Sequence, residues 1–128
     1  MPYPQDYKYT KEHEWIQPKG MTALVGITDH AQQSLGDIVF VELPKVGALF
    51  EQGKSFGTVE SVKAVSELYI PAAGKVVAVN EDLNQDPETI NEDAHKAWMI
   101  ELELKNVKDL DSLLSADEYE AYIAEEKA

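Results

Sequence analysis

A chain of 128 residues has room for one compact domain with a single core, and 24 acidic against 11 basic residues leave a formal charge of −13. That field repels nucleic-acid phosphates and anionic membrane surfaces. The absence of cysteine excludes disulfides, thiolate metal sites and cysteine nucleophiles, so any sulfur chemistry has to come from a cofactor.

Hydrophobic residues at 44% and charged residues at 27% describe an ordered globule, not a disordered chain. No apolar run is long enough to cross a bilayer. The opening residues Met1 to Asp6 contain no basic stretch, apolar core or arginine-rich presequence. A cytoplasmic protein is expected, or a processed organellar one.

In chain order, Lys11 to Ile16 and Met21 to Ile27 read as strands. Thr28 or Asp29 can cap a short helix over Ala31 to Leu35, closed by Gly36 in the C′ position. Strand patterns return at Asp37 to Leu43, Ser55 to Glu60, Ser66 to Ile70 and Lys75 to Asn80, each bounded by turn formers. Asp86-Pro87 marks a helix start.

From Trp98 to Leu104, Trp98, Ile100, Leu102 and Leu104 alternate with Met99, Glu101 and Glu103, so one face can pack inward while the two carboxylates stay wet. Ser115 and Glu118 have capping-box spacing ahead of an apolar stripe of Tyr119, Tyr122 and Ile123. A C-terminal helix over about residues 115–126 should therefore lie on the sheet. The pattern is α+β and mainly β, with many short strands at close spacing, and predicts a small sandwich or partly closed barrel in one domain over residues 1–128.

Lys63 falls between two strand runs, at the expected tip of a hairpin. Ser61-Val62-Lys63-Ala64 contains no Gly, Asn or Asp to favour a primed turn, and a lysine so placed is most often only a solvated charge. Attachment of an acyl arm needs that placement, because a ligase must reach the ε-amine and the arm must then swing clear of the backbone.

Other chemistries have weaker signals. Asp111-Ser112-Leu113 reproduces the core of a phosphopantetheine site, but it follows a β-rich region, whereas an acyl carrier is an all-helical bundle; Ser112 reads better as a helix-start residue. His13, His30 and His95 show no metal-ligand spacing, and neither a phosphate loop nor a nucleophile elbow is present. No metal site and no enzymatic activity are expected.

Glu60-Ser61-Val62-Lys63-Ala64, preceded by Phe56-Gly57-Thr58-Val59, resembles the lipoylation site of glycine cleavage H proteins. The resemblance extends to Tyr9 to Trp15, to Val25 to Gln32, to Leu35 to Pro44, and to Leu113 to Ala116 with Glu118 to Glu120. It implies a barrel-sandwich hybrid (the lipoyl/biotinyl hammerhead) with flanking helices. It also implies an amide between Lys63 and lipoic acid, recognised by a lipoate ligase or lipoyl transferase through Glu60, Ser61, Val62 and Ala64.

As that family works, a pyridoxal-phosphate glycine decarboxylase loads an aminomethyl group on the arm. A tetrahydrofolate-dependent aminomethyltransferase unloads it, and a dihydrolipoyl dehydrogenase containing FAD reoxidises the dithiol. The resemblance thus implies a carrier, expected as a monomer, that serves three active sites and catalyses nothing itself. Glu14 and Glu67 match positions that shield the loaded arm in some relatives.

The chain departs from the family at Ser34, which is His in some relatives, and over Ala94-His95-Lys96-Ala97, where a Pro-Tyr pair and a Gly usually precede the Trp. A lipoyl donor or an unmodified paralogue would keep the same hairpin. A biotin carrier would too, although biotinyl lysines usually lie between methionines, and here Val62 and Ala64 flank Lys63.

Overall fold

The computed structural model describes residues 3–127. Among the described residues nine strands form two antiparallel sheets: β1 (Lys8–Tyr9), β2 (Glu14–Lys19), β3 (Thr22–Ile27), β4 (Ile38–Glu42), β5 (Leu49–Phe50), β6 (Ser55–Ser61), β7 (Val65–Tyr69), β8 (Gly74–Val79) and β9 (Ile100–Leu104). The larger sheet runs β1-β2-β3-β9-β8-β5 and the smaller β4-β6-β7. Neither closes into a barrel, and together they make the expected barrel-sandwich hybrid. Helices α1 (Asp29–Leu35), α2 (Asp82–Gln85), α3 (Thr89–Glu92) and α4 (Ala116–Lys127) flank them, with a 3-10 helix at Val107–Ser112.

The main core lies between the sheets. Val25, Ile27, Ile100 and Leu102 from the large sheet join Val41, Val59 and Leu68 from the small one, with Leu83 and Ile90 of α2 and α3 closing one end. The small sheet is drawn tight at Gly57, where a Cβ would stand 2.1 Å from the carbonyl oxygen of Glu42, so only glycine allows this β4–β6 approach. A second cluster of Tyr3, Tyr7, Tyr9, Trp15, Tyr119 and Ile123 fastens the N-terminal hairpin to α4. The Ser115–Glu118 capping box forms as expected, with Glu118 N donating to Ser115 Oγ at 3.2 Å and Ser115 N to Glu118 Oε1 at 2.8 Å.

Several expectations are corrected. The strand expected from Lys11 begins only at Glu14, because residues 10–13 turn the chain between β1 and β2: His13 N donates to Thr10 O, and His13 takes a left-handed φ of 74°. Such a conformation is uncommon outside glycine, and histidine tolerates it better than β-branched residues do.

Met99, which alternates with the inward residues, is nonetheless fully buried, since the alternation breaks before β9 begins. Met99 packs into the main core and Trp98 against the aromatic cluster, so both neighbours find apolar partners. Ser112 ends a 3-10 helix instead of starting a helix, and its hydroxyl donates to Asp109 O at 2.9 Å. Together with the β-rich surroundings, this placement overturns the acyl-carrier reading.

Thr28, not Asp29, caps α1, its Oγ1 accepting from Ala31 N. The 94–97 loop is held by neighbours distant in sequence: Trp15 Nε1 donates to Ala94 O at 3.0 Å and Tyr7 Oη to His95 O at 2.7 Å. Burial pushes the His95 imidazole pKa down, which suits a neutral ring whose Nε2 accepts from Asp29 N at 3.2 Å.

Candidate functional site: a lysine on a locked hairpin

Strands β6 and β7 form the expected hairpin, with Glu60 opposite Val65 and Thr58 opposite Glu67. Val62 and Lys63 make the two-residue tip, closed by Ser61 N donating to Ala64 O at 2.8 Å. Neither has a positive φ, so this is not a primed turn. The Ser61 side chain supplies the missing turn chemistry: its Oγ accepts from Lys63 N at 3.2 Å and from Ala64 N at 3.1 Å. Ser61 is itself buried, so it shapes the tip while Val62, Lys63 and Ala64 stay exposed.

The tip is also braced from outside. Val62 N donates to Asp37 O at 3.0 Å, docking the hairpin on the turn between α1 and β4. Asn91 of α3 sets that turn in place, its Oδ1 accepting from Ile38 N at 2.8 Å and its Nδ2 donating to Gly36 O at 2.9 Å. Gly36 takes a left-handed φ of 82°, and a Cβ there would rest in ordinary contact with the lysine stem, 3.7 Å from Lys63 Cε. Among the described residues no ion pair engages Lys63. Its amine is therefore held out on a rigid support, accessible for acylation.

Glu60 is exposed on the outer face of the small sheet, flanked in register by Phe40 and Val65. Val39, Phe40, Val62 and Val65 leave large apolar side chains in solvent around the tip. Sequence alternation could not place both Val39 and Phe40 outward, because a register shift in β4 between Ile38 and Phe40 breaks the period.

Glu14 and Glu67 do not touch Lys63 but are bridged by Tyr69. Tyr69 N donates to Glu14 Oε2 at 3.2 Å, and Tyr69 Oη to Glu67 Oε2 at 3.0 Å. Glu67 is exposed, whereas Glu14 retains 1% of its surface and takes a 2.6 Å hydrogen bond from Thr10 Oγ1. Burial pushes the Glu14 carboxyl up to about 7, against the pull of its hydrogen bonds from Thr10 and the Tyr69 amide. Ser34 is exposed on α1.

Two facing β-sheets that present an unpaired lysine at the tip of a braced hairpin define a carrier-domain architecture of the barrel-sandwich class. The sequence profile described as Glycine cleavage H-protein matches residues 7–126. The chain belongs to the glycine cleavage H-protein family.

It is 64% identical over 126 residues to a glycine cleavage system H protein of Koribacter versatilis, covering 98% of each chain. It is 60% identical over 126 residues to one of Acidobacterium capsulatum, again covering 98% of each. The crystal structure of a glycine cleavage system H protein from Mycobacterium marinum superposes with a TM-score of 0.85 at 38% identity, covering 98% of this chain and 100% of that one. Among the described residues no helix is long and apolar enough to cross a membrane.

Proposed function

We propose that residues 1–128 form one lipoyl-carrier domain in which Lys63 is joined to lipoic acid through an amide. The observation that carries the reading is the exposed Lys63 amine on a turn locked by Ser61 and braced by Asp37. A ligase or lipoyl transferase needs the amine within reach and a fixed approach, and the exposed, locked tip offers both. Glu60, Val62 and Ala64 stand exposed beside the lysine as recognition contacts, while Ser61 acts through the shape of the turn.

When bound, the lipoyl dithiolane supplies redox and group-transfer chemistry, serving the aminomethyl relay from glycine decarboxylase to the tetrahydrofolate-dependent aminomethyltransferase and the flavin-dependent dihydrolipoyl dehydrogenase. The chain contributes presentation and protection, and no catalytic group. The apolar fringe of Val39, Phe40, Val62 and Val65 offers partner enzymes a desolvatable rim around the lysine.

Glu67, about four strand residues from Lys63 and so on the order of 13 Å along the hairpin, provides an open carboxylate for a cationic amine. Glu14 backs it through Tyr69. The reading places the protein in the cytosol or an organellar matrix, as a monomer.

The test is intact mass with peptide mapping after incubation with lipoic acid, ATP and a lipoate ligase. One lipoyl increment on Lys63, absent from Lys63→Arg, is expected. An unmodified wild type points to a structural paralogue, and an increment elsewhere overturns the site. Biotin ligase in a parallel reaction should leave the mass unchanged.

A further inference from the structure

The turn at the end of β1, the first turn of α1 and the last turn of α4 meet at one point. There a ligand atom from each of His13, His30 and Glu126 lies within 4.8 Å of the other two. His13 Nε2 stands 3.4 Å from Glu126 Oε2. In a tetrahedral zinc site with bonds of about 2.0–2.1 Å, neighbouring ligand atoms are about 3.4 Å apart. The pair is therefore already at coordination spacing. The His30 and His13 rings lie at a tilt of 44° with centroids 4.7 Å apart, and the three ligand atoms would have to close by at most about 1.4 Å to reach that spacing.

The surroundings are built as metal sites are built. His13 Nδ1 lies 2.7 Å from Tyr119 Oη, which lies 2.8 Å from Thr28 Oγ1, and that oxygen in turn caps α1. When Nδ1–H donates into this chain, the Nε2 lone pair is left free on the side of Glu126, the tautomer that outer-sphere partners impose on ligating histidines. The left-handed φ of His13, held by backbone hydrogen bonds from His13 N to Thr10 O and from Thr28 N to His13 O, sets the ring at this point. Three partly buried or exposed ligands from separate elements leave a fourth position for water.

We propose that His13, His30 and Glu126 bind a divalent transition metal of borderline softness, zinc or nickel in type, and thereby clamp α4 to the N-terminal hairpin. Two imidazoles and one carboxylate select such ions over magnesium, which prefers six oxygen ligands. Nothing in this site requires Lys63, so it operates with or without the arm.

The experiment is a zinc titration of the untagged, chelator-stripped full chain, read by thermal melting and by NMR of the imidazole signals. Wild type should take up one equivalent, with the melting temperature rising as zinc increases. The His13 and His30 resonances should move while buried His95 stays put. Glu126→Gln at the exposed end of α4, His30→Gln and His13→Asn, which keeps a residue tolerant of left-handed φ, should each weaken zinc at least about tenfold. Magnesium should produce no shift.

Zinc binding of equal strength in all three variants, or shifts without the imidazoles, would mean adventitious capture by surface carboxylates and sink the proposal. So would the absence of any zinc-dependent change. Because Glu126 is exposed near the end of the described chain, its variant keeps the test meaningful even if a histidine variant folds poorly.

Discussion

The Tyr119 hydroxyl lies 2.7 Å from His13 Nδ1, so the C-terminal helix and the turn between β1 and β2 share a hydrogen bond across 106 positions of sequence. The same oxygen reaches Thr28 Oγ1 at 2.8 Å, and its ring stacks on Tyr9 at 4.9 Å. Tyr119→Phe keeps the stacking and deletes both hydrogen bonds. A loss of about 1–3 kcal/mol is expected in urea unfolding of metal-free protein, with the denaturant slope unchanged. A loss below about 0.5 kcal/mol would show that the chain from His13 to Thr28 contributes little.

At the other end of the molecule, Ser61→Ala leaves the Lys63 and Ala64 amides to water and frees the tip. Its cost to stability should be about 0.5–1.5 kcal/mol. The larger readout is lipoylation: a tip that must be ordered by the ligase should be modified about fivefold more slowly, the equivalent of about 1 kcal/mol. Ser66→Ala, on the exposed hairpin but outside the turn, serves as the control. Equal initial rates for the two variants would remove Ser61 from the recognition argument.

Glu14 gives stability a pH dependence whose sign follows from its burial. Its folded pKa of about 7 stands above the ordinary 4.5, so between those values the native carboxyl holds a proton that the unfolded chain has lost. The contribution is complete below about pH 4.5 and disappears as pH rises through about 7, amounting to about 3 kcal/mol. Glu14→Gln should lack this component. His95, whose folded pKa is lowered, contributes the opposite slope below about pH 6.5 in both proteins and cancels in the difference. Denaturation of both proteins at about pH 5 and about pH 8 checks it. A wild-type-minus-variant difference that does not fall with pH would contradict a buried carboxyl of this kind.

Much of the fold was legible because burial on one face leaves a period in the chain. Strand β3 and the capping-box helix follow their patterns almost residue for residue, as does the turn from α1 into β4 at Gly36. What escaped depends on partners remote in sequence. Met99 and Trp98 both look like alternating strand residues, yet two different apolar clusters claim them. The two-residue strand β5 is too short to show a period.

At the site, Lys63 was legible chiefly through the motif around it, whereas the reason its turn holds was not. Ser61 carries no primed-turn signature, and Asn91 acts through a loop that no local pattern links to the hairpin. His13, His30 and Glu126 have no ligand spacing because the fold, not the local chain, brings them together.

The Ser61 lock and the Asp37 brace assign all the freedom at the tip to side-chain torsions. Whatever is fixed to the Lys63 amine therefore sweeps a cap of space whose centre does not wander and whose radius is the length of the arm alone. A docked partner can place its catalytic cleft on the surface of that cap once. Every cargo delivered by this scaffold then arrives at the same depth, so the carrier works as a ruler as much as a tether.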